Sequence, residues 1–336
     1  MTSLRGTLWD GVQLWRLRAA PEPEARSRPI ALPVSWDAED ASALAALAPG
    51  AGPVLLPRLA EGWIAEVTAR GRRCAILADD AEEAAFAEAL RALLLARRGA
   101  PGLGIWRQDA KGAPRFVLNL PAFLDAGGEF DAAAYGHAVA LGVRALDCWT
   151  GAKAPRLALG FADLAGLLAG LGLAYDSAEG RAVGAAIAAL TRGAAEAESG
   201  RIAERLGARE PVCLLAPTPP GGTVVPGLAA AARAALDDAA GSPGLRHQGL
   251  VALAAPDAVE RLLGAESGGL APSSGPSRLV HDADGWVTEI PTRAALRAGP
   301  RAEALLAPVP HAAWIAMAQA IAPYLHAAPP LPLAAV

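Results

Sequence analysis

Apolar and polar positions recur with two periods along this 336-residue chain, and the changes of period mark out its elements. Recurrence every three or four residues denotes a helix with one buried face, and recurrence every two denotes a half-buried strand. Thr7–Leu17 reads as a short strand-like piece, followed by the charged, Pro-rich loop PEPEARSRP. Either Asp37 or Asp40 caps a small helix over ASALAALA, which the segment Pro49–Gly52 ends. Val54–Leu56 is a short apolar run, Leu59–Arg70 is helix-like, and Cys74–Ala78 is a strand candidate.

A stronger helix comes next. Asp79 or Asp80 precedes Glu82 and Glu83, so acids sit where the helix dipole favours them. Phe86, Leu90, Leu93 and Leu94 form its buried stripe, and Arg97, Arg98 and Gly99 supply the cationic last turn and the stop. Residues 99–114 form a Gly/Pro-rich joint, and Phe116–Leu120 is a short buried strand. Asp131 starts a helix with Tyr135, Val139, Gly142, Val143 and Leu146 on its apolar side. After a second joint at Gly151–Pro155, a helix holds Leu164–Leu171. Asp176 with Glu179 makes a capping-box pattern that opens a long helix through Leu206, lined inside by Val183, Ile187, Leu190, Ala194, Ile202 and Leu206.

Beyond residue 211 the periodicity weakens. Val212–Leu215 is a buried strand candidate leading into a PTPPGGT loop, and an Ala-rich helix spans 227–240. Leu250–Leu263 reads as strand or helix. A polar loop at 267–277 precedes a hairpin over Arg278–Ile290 that turns at Asp284-Gly285. Trp314, Ala318, Ile321 and Leu325 recur at helical spacing, as in a terminal helix docked on a core. No internal repeat occurs. The pattern divides into a small, mostly helical α/β region at 1–105 and a second region at 106–336.

Composition narrows the function classes. Hydrophobic residues make up 53% and charged residues 19%, which is enough apolar sequence for a packed core. Net charge is −4 and no block of five or six like charges occurs, so no nucleic-acid-binding surface is indicated. Basic charge is almost all Arg, the only lysines being Lys111 and Lys153. Cys74, Cys148 and Cys213 are widely separated, which supports neither a disulfide framework nor a zinc site. The five histidines (His137, His247, His281, His311, His326) make no i, i+4 pair and no HExxH. Ser273-Ser274-Gly275 lacks the G-x-S-x-G context of a serine nucleophile, and the glycines at 99–104 are not a dinucleotide fingerprint. No metal and no cofactor is expected. The N-terminus lacks a signal-peptide core, and the uncharged segment 304–336 is too interrupted by Pro308, Pro310, Gln319, Pro323 and Pro329 to span a membrane. A cytoplasmic location is the expectation.

One stretch carries a resemblance. Leu118-Asn119-Leu120, Phe130-Asp131 and Gly142-Val143-Arg144-Ala145-Leu146-Asp147 follow in the order strand, helix start, helix end. Leu159-Gly160, Leu164-Ala165, Leu167-Leu168 and Tyr175-Asp176-Ser177 come next, and the helix closes at Arg201–Gly207. This order, best matched over 116–207, resembles the large, catalytic subunit of ribonucleotide reductases, closest to the adenosylcobalamin-dependent kind. The resemblance implies an α/β, helix-rich fold that keeps a partial, open remnant of the reductase α/β barrel.

The resemblance also implies where chemistry is missing. Ala113 stands where the family has the cysteine heading its strand pattern, and no Asn-x-Cys-x-Glu triplet occurs anywhere. Thiyl-radical and dithiol chemistry therefore has no residues to run on, and no catalytic residue is assigned. The family's phosphate-holding A-P-T-G-T segment is matched by Ala216-Pro217-Thr218-Pro219-Pro220-Gly221-Gly222-Thr223. Thr218, Gly221, Gly222 and Thr223 are the candidate phosphate-binding residues, although proline removes amide donors there. Ala271 replaces the Glu of the family's S-G-I-E-P segment. The expected function is a non-catalytic scaffold or partner-binding protein. The alternatives are a nucleotide-binding regulator and one chain of a split reductase. The lost barrel strands predict open sheet edges, to be covered by the N-terminal region, another protein chain or a homo-oligomer.

Overall fold

An N-terminal hairpin opens the fold. β1 (Leu14–Ala19) pairs antiparallel with β2 (Arg28–Pro33), placing Arg16 and Arg18 on one outward face. α1 (Ala38–Leu47) crosses over to the two-residue β3 (Val54–Leu55), which lies parallel to β2. Asp37, not Asp40, is the N-cap of α1, and Asp40 completes the capping box as its third residue. The structure, a computed structural model, describes residues 4–22, 24–109, 114–212, 217–218, 221–281 and 286–329.

α2 (Leu56–Arg73) and α3 (Asp80–Leu95) form an antiparallel pair behind this sheet. Cys74–Ala78 between them is not a strand. The backbone amides of Ile76 and Leu77 both donate to Gly71 O, so the segment is a tight turn that wraps the end of α2. Thr7–Gly11 likewise forms turns, fastened by Trp9 Nε1 donating to Glu61 Oε1 at 2.7 Å.

The central sheet has the order β4-β5-β6-β7. β4 (Gly99–Pro101) and the short α4 (Leu103–Trp106) fall inside the Gly/Pro-rich joint, and β4 pairs antiparallel with β5 (Arg115–Asn119). α5 (Ala132–Thr150) carries the chain to β6 (Arg156–Ala162), parallel to β5. Asp131 caps α5 through Ala134 N, and Gly151 in the left-handed region ends it. Gly142 lets α5 lie close on the sheet, because a Cβ there would stand 2.6 Å from Leu159 Cδ1.

After β6 come α6 (Leu164–Gly170), α7 (Ala178–Leu206) and α8 (Leu228–Ala240). Ser177, one residue later than the Asp176 of the sequence pattern, caps α7 by accepting from Gly180 N. α7 is buried around most of its circumference, packed by α5, α8 and α12 (His311–Ile321). Small residues make this feasible: a Cβ on Gly193 would lie 2.5 Å from the backbone of Ala235 in α8. Leu250–Leu263 resolves into both alternatives, β7 (Gly249–Val251) parallel to β6 and then α9 (Ala258–Leu262). β8 (Ser277–His281) and β9 (Val287–Pro291) form the expected hairpin, followed by α10 (Arg293–Ala298) and α11 (Ala302–Leu305). Its turn at Asp284-Gly285 and most of the strand candidate Val212–Leu215 lie outside the described residues.

The result is mixed α/β, richer in helix than in strand, with three open sheets among the described residues and no barrel. One hydrophobic cluster runs from Trp9 to Tyr324, across residues 105 and 106. The outer edge of β7 is covered by the chain itself: His326 N donates to Val251 O at 2.9 Å, and Val251 N donates to His326 Nδ1 at 3.2 Å. Among the described residues no helix is long and apolar enough to cross a membrane.

Candidate functional site

In sheets with parallel strands, ligands bind beyond the carboxyl ends of those strands. Here β5 ends at Asn119, and Asp163 follows the last residue of β6; both are buried. Asn119 Nδ2 donates to Leu263 O at 2.7 Å, and its Oδ1 has no hydrogen-bond partner among the described residues. Asp163 adopts a left-handed conformation with φ 62° and caps α6, accepting from Gly166 N and from Ser267 Oγ, both at 3.1 Å. Asp tolerates this conformation better than most residues because its short polar side chain bonds locally. Burial pushes the Asp163 carboxyl up from its ordinary range, against the pull of Arg297.

Both side chains are almost closed to solvent, Asn119 being 3% and Asp163 1% exposed. The segment 263–271 folds across the strand ends, with Asp163 N donating to Ser267 O at 2.9 Å and Tyr175 Oη donating to Leu270 O. Over that segment lies an ion cluster. Arg97 grips Asp40 with two nitrogens, and Arg293 joins Asp37 and Asp40. Glu266 accepts from the Arg293 and Ala294 amides at 2.7 and 2.9 Å, and Arg278 reaches Glu39. The guanidinium groups of Arg97 and Arg293 crowd Gly264, where a Cβ would stand 2.9 and 2.5 Å from them. On the sheet itself, a cavity lined by Arg115, Phe116, Phe161 and Leu253 holds about 10 Å³, room for at most one water.

A second polar node has the composition of a hydrolase triad. His247 Nδ1 is 3.0 Å from Ser199 Oγ, and His247 Nε2 is 3.2 Å from Asp147 Oδ1. The arrangement does not suit catalysis. All three side chains are buried, and Ser199 Oγ already accepts from the Arg246 and His247 amides at 3.0 and 3.2 Å. Its serine also bonds the nitrogen that faces the carboxylate in a working triad. The node ties α5 and α7 to the segment before β7. Sequence spacing gave no sign of it, since its residues are 52, 48 and 100 positions apart in pairs on three elements.

The phosphate candidates flank residues 219–220, which lie outside the described residues. Thr218 is exposed, with its carbonyl accepting from Tyr324 Oη at 2.7 Å, and Thr223 Oγ1 donates to Val225 O at 3.0 Å. Gly221 and Gly222 are exposed, with no heavy atom within 4 Å of a Cβ position at either. Cys74 ends α2 with its thiol 3.6 Å from Gly71 O, and Cys148 is buried in α5; burial pushes both thiols up, which disfavours the reactive thiolate. Cys213 lies outside the described residues. Among the described residues no group of three or more His, Cys, Asp or Glu side chains is placed to hold a metal ion. No family model matches the chain, and no curated protein matches it.

Proposed function

We propose that this chain is a ribonucleotide-reductase-like protein without reductase chemistry, acting as a non-catalytic scaffold or partner-binding protein. The observation that carries the reading is the filling of the strand ends. Where a substrate would lie against β5 and β6, the chain sets its own loop 263–271, closed over by the Asp40–Arg97–Arg293 cluster.

A second Ala-Pro pair supports it. Ala255-Pro256-Asp257 is separated from β7 by three residues and leads into α9, and it is a second candidate for the family's phosphate segment. On this reading a carboxylate stands at the phosphate position. Asp257 accepts from Leu103 N at 3.0 Å and pairs with Arg115 at 3.0 Å, while Arg115 also holds Glu260 at 2.7 Å. An anion brought there meets negative charge rather than open amides.

The partner-binding half rests on the β8–β9 hairpin. Leu279 is 67% exposed and Val287 52%, in a two-stranded sheet that is marginal in water by itself, and Trp286 just before β9 is 74% exposed. The full chain, assayed with ribonucleoside triphosphates, adenosylcobalamin and a dithiol, is expected to yield no deoxynucleotide. Measurable turnover would sink the proposal. Loss of co-purifying chains on Leu279→Lys/Val287→Lys substitution checks the hairpin.

A further inference from the structure

Two grooves adjoin on the N-terminal sheet, sharing Ala48 and Pro49 as a common wall. The first, of about 730 Å³, has an apolar floor of Ile30, Val54, Leu55 and Leu59, with Arg16 and Arg58 at its sides. The second, of about 830 Å³, is lined by Arg18, Arg26, Arg28 and Arg107. Each lies in the size range of small-molecule sites.

Charge sets this place apart. The chain is net −4, and its other structured arginines commonly sit on carboxylates: Arg91 on Glu61, Arg97 on Asp40, Arg115 on Glu260, Arg144 on Glu198. Among the described residues no Asp or Glu lines either groove, and none of the six groove arginines is in an ion pair. Glu22 and Glu24 are exposed on the neighbouring loop but line neither groove.

The arginines are held in place without being neutralised. Arg28 is buried and donates to the carbonyls of Ala45, Ala48 at 2.8 Å and Gly50 at 2.7 Å, so its guanidinium is fixed at the end of α1. Arg107 donates to Ala46 O at 2.6 Å beside it, and Arg18 is oriented by Ser27. Carbonyls and a hydroxyl satisfy hydrogen bonds but carry no compensating charge. The positive charges of Arg28 and Arg107 therefore repel one another. A bound anion would relieve that repulsion, and the fork of a guanidinium suits phosphate oxygens.

We propose that these adjoining grooves form a binding site for a phosphate-bearing small molecule with an apolar body. The phosphate sits on Arg18, Arg26 and Arg107 with the charge of Arg28 behind them, and the body lies along Ile30, Val54, Leu55 and Leu59. The site shares no residue with the strand ends of β5 and β6 and does not depend on the reductase-like reading.

Isothermal titration of the full chain separates the two halves. Inorganic pyrophosphate probes the charged end alone, adenosine triphosphate adds a nucleoside body, and dodecyl phosphate adds an alkyl body. At least one of the latter two is expected to bind about tenfold or more tightly than pyrophosphate, and the tighter of them names the body. Arg18→Ala/Arg26→Ala, two exposed positions, should weaken that probe about tenfold, as should raising salt from ~50 to ~300 mM. Leu59→Trp, which fills the apolar groove, should weaken the same probe and leave pyrophosphate binding unchanged. The site is rejected if no probe binds more tightly than about 1 mM. It is equally rejected if pyrophosphate matches both body-bearing probes, or if the arginine variant and high salt leave affinity intact.

Discussion

At its N-terminal end α1 presents Asp37, Glu39 and Asp40, and each meets an arginine from a distant part of the chain: Arg293, Arg278 and Arg97. At its C-terminal end the same helix meets Arg28 and Arg107 through backbone carbonyls alone. Both placements follow the helix dipole, with acids at the positive end and cations at the negative end. They differ in what remains. The first end is electrically closed and joins residues 37–40 to 97, 266, 278 and 293; the second leaves full positive charges facing a groove. Arginine at the ends of α1 is therefore not one kind of feature: one set locks the fold, and the other keeps its charge.

The largest expected effect breaks the closed end. Asp40→Ala leaves Arg97 and Arg293 without their buried partner, and should lower stability by about 3–5 kcal/mol in urea titration. A loss below about 1 kcal/mol would mean that the two arginines re-pair with Asp37 and Glu266. Next comes the open end. Arg28→Ala removes a charged donor from several α1 carbonyls and should lose about 1.5–3 kcal/mol in the same titration.

A smaller effect separates the ends by pH. Burial by itself pushes the Asp37 carboxyl up, but the bond from the Asp40 amide and the Arg293 guanidinium outweigh it and hold the group below its ordinary range. Asp37 thus stabilises the fold fully above the unfolded carboxylate value of about 4, and that contribution is lost as pH falls through the lower folded value. Asp37→Ala should lower stability at pH 7 by about 1 kcal/mol through loss of the cap, with a shallower decline below about pH 4 in melts across a pH series. Among the described residues no Asp or Glu lines the groove at the Arg28 end, so Arg28→Ala should keep the parent's acid profile. The smallest effect is Arg18→Ala/Arg26→Ala, expected to move stability by no more than about 0.5 kcal/mol. A larger loss would show those side chains to be structural.

Much of the helical frame was legible because its signals are local. The Asp131 cap, the Tyr135–Val139–Val143–Leu146 stripe and the Gly151 stop define α5 within twenty residues of sequence, and the structure bears out each. β6 was not read as a strand. It is a mostly buried parallel strand of sequence RLALGFA, without the alternation that a half-solvated strand shows. β4 escaped notice because glycine and proline usually mark joints, whereas Gly99 is needed so that β4 can press against Leu118. The strand ends were legible only as positions. That Asn119 and Asp163 would be roofed by 263–271 and by α1 depends on partners 72 to 152 residues away, for which spacing carries no information. The arginine grooves are hidden for the same reason: Arg18, Arg28 and Arg107 belong to β1, β2 and the turn after α4.

The cover on β7 has a consequence in time. His326 completes the hydrogen bonding of Val251 from 75 residues further along the chain. During synthesis at about 5–20 residues per second, that edge stays unclothed for roughly 4–15 s after the strand itself has been made. An exposed strand edge is a template for pairing with another chain. The nascent protein therefore passes through a window in which neighbouring ribosomes on one message hold matching open edges side by side.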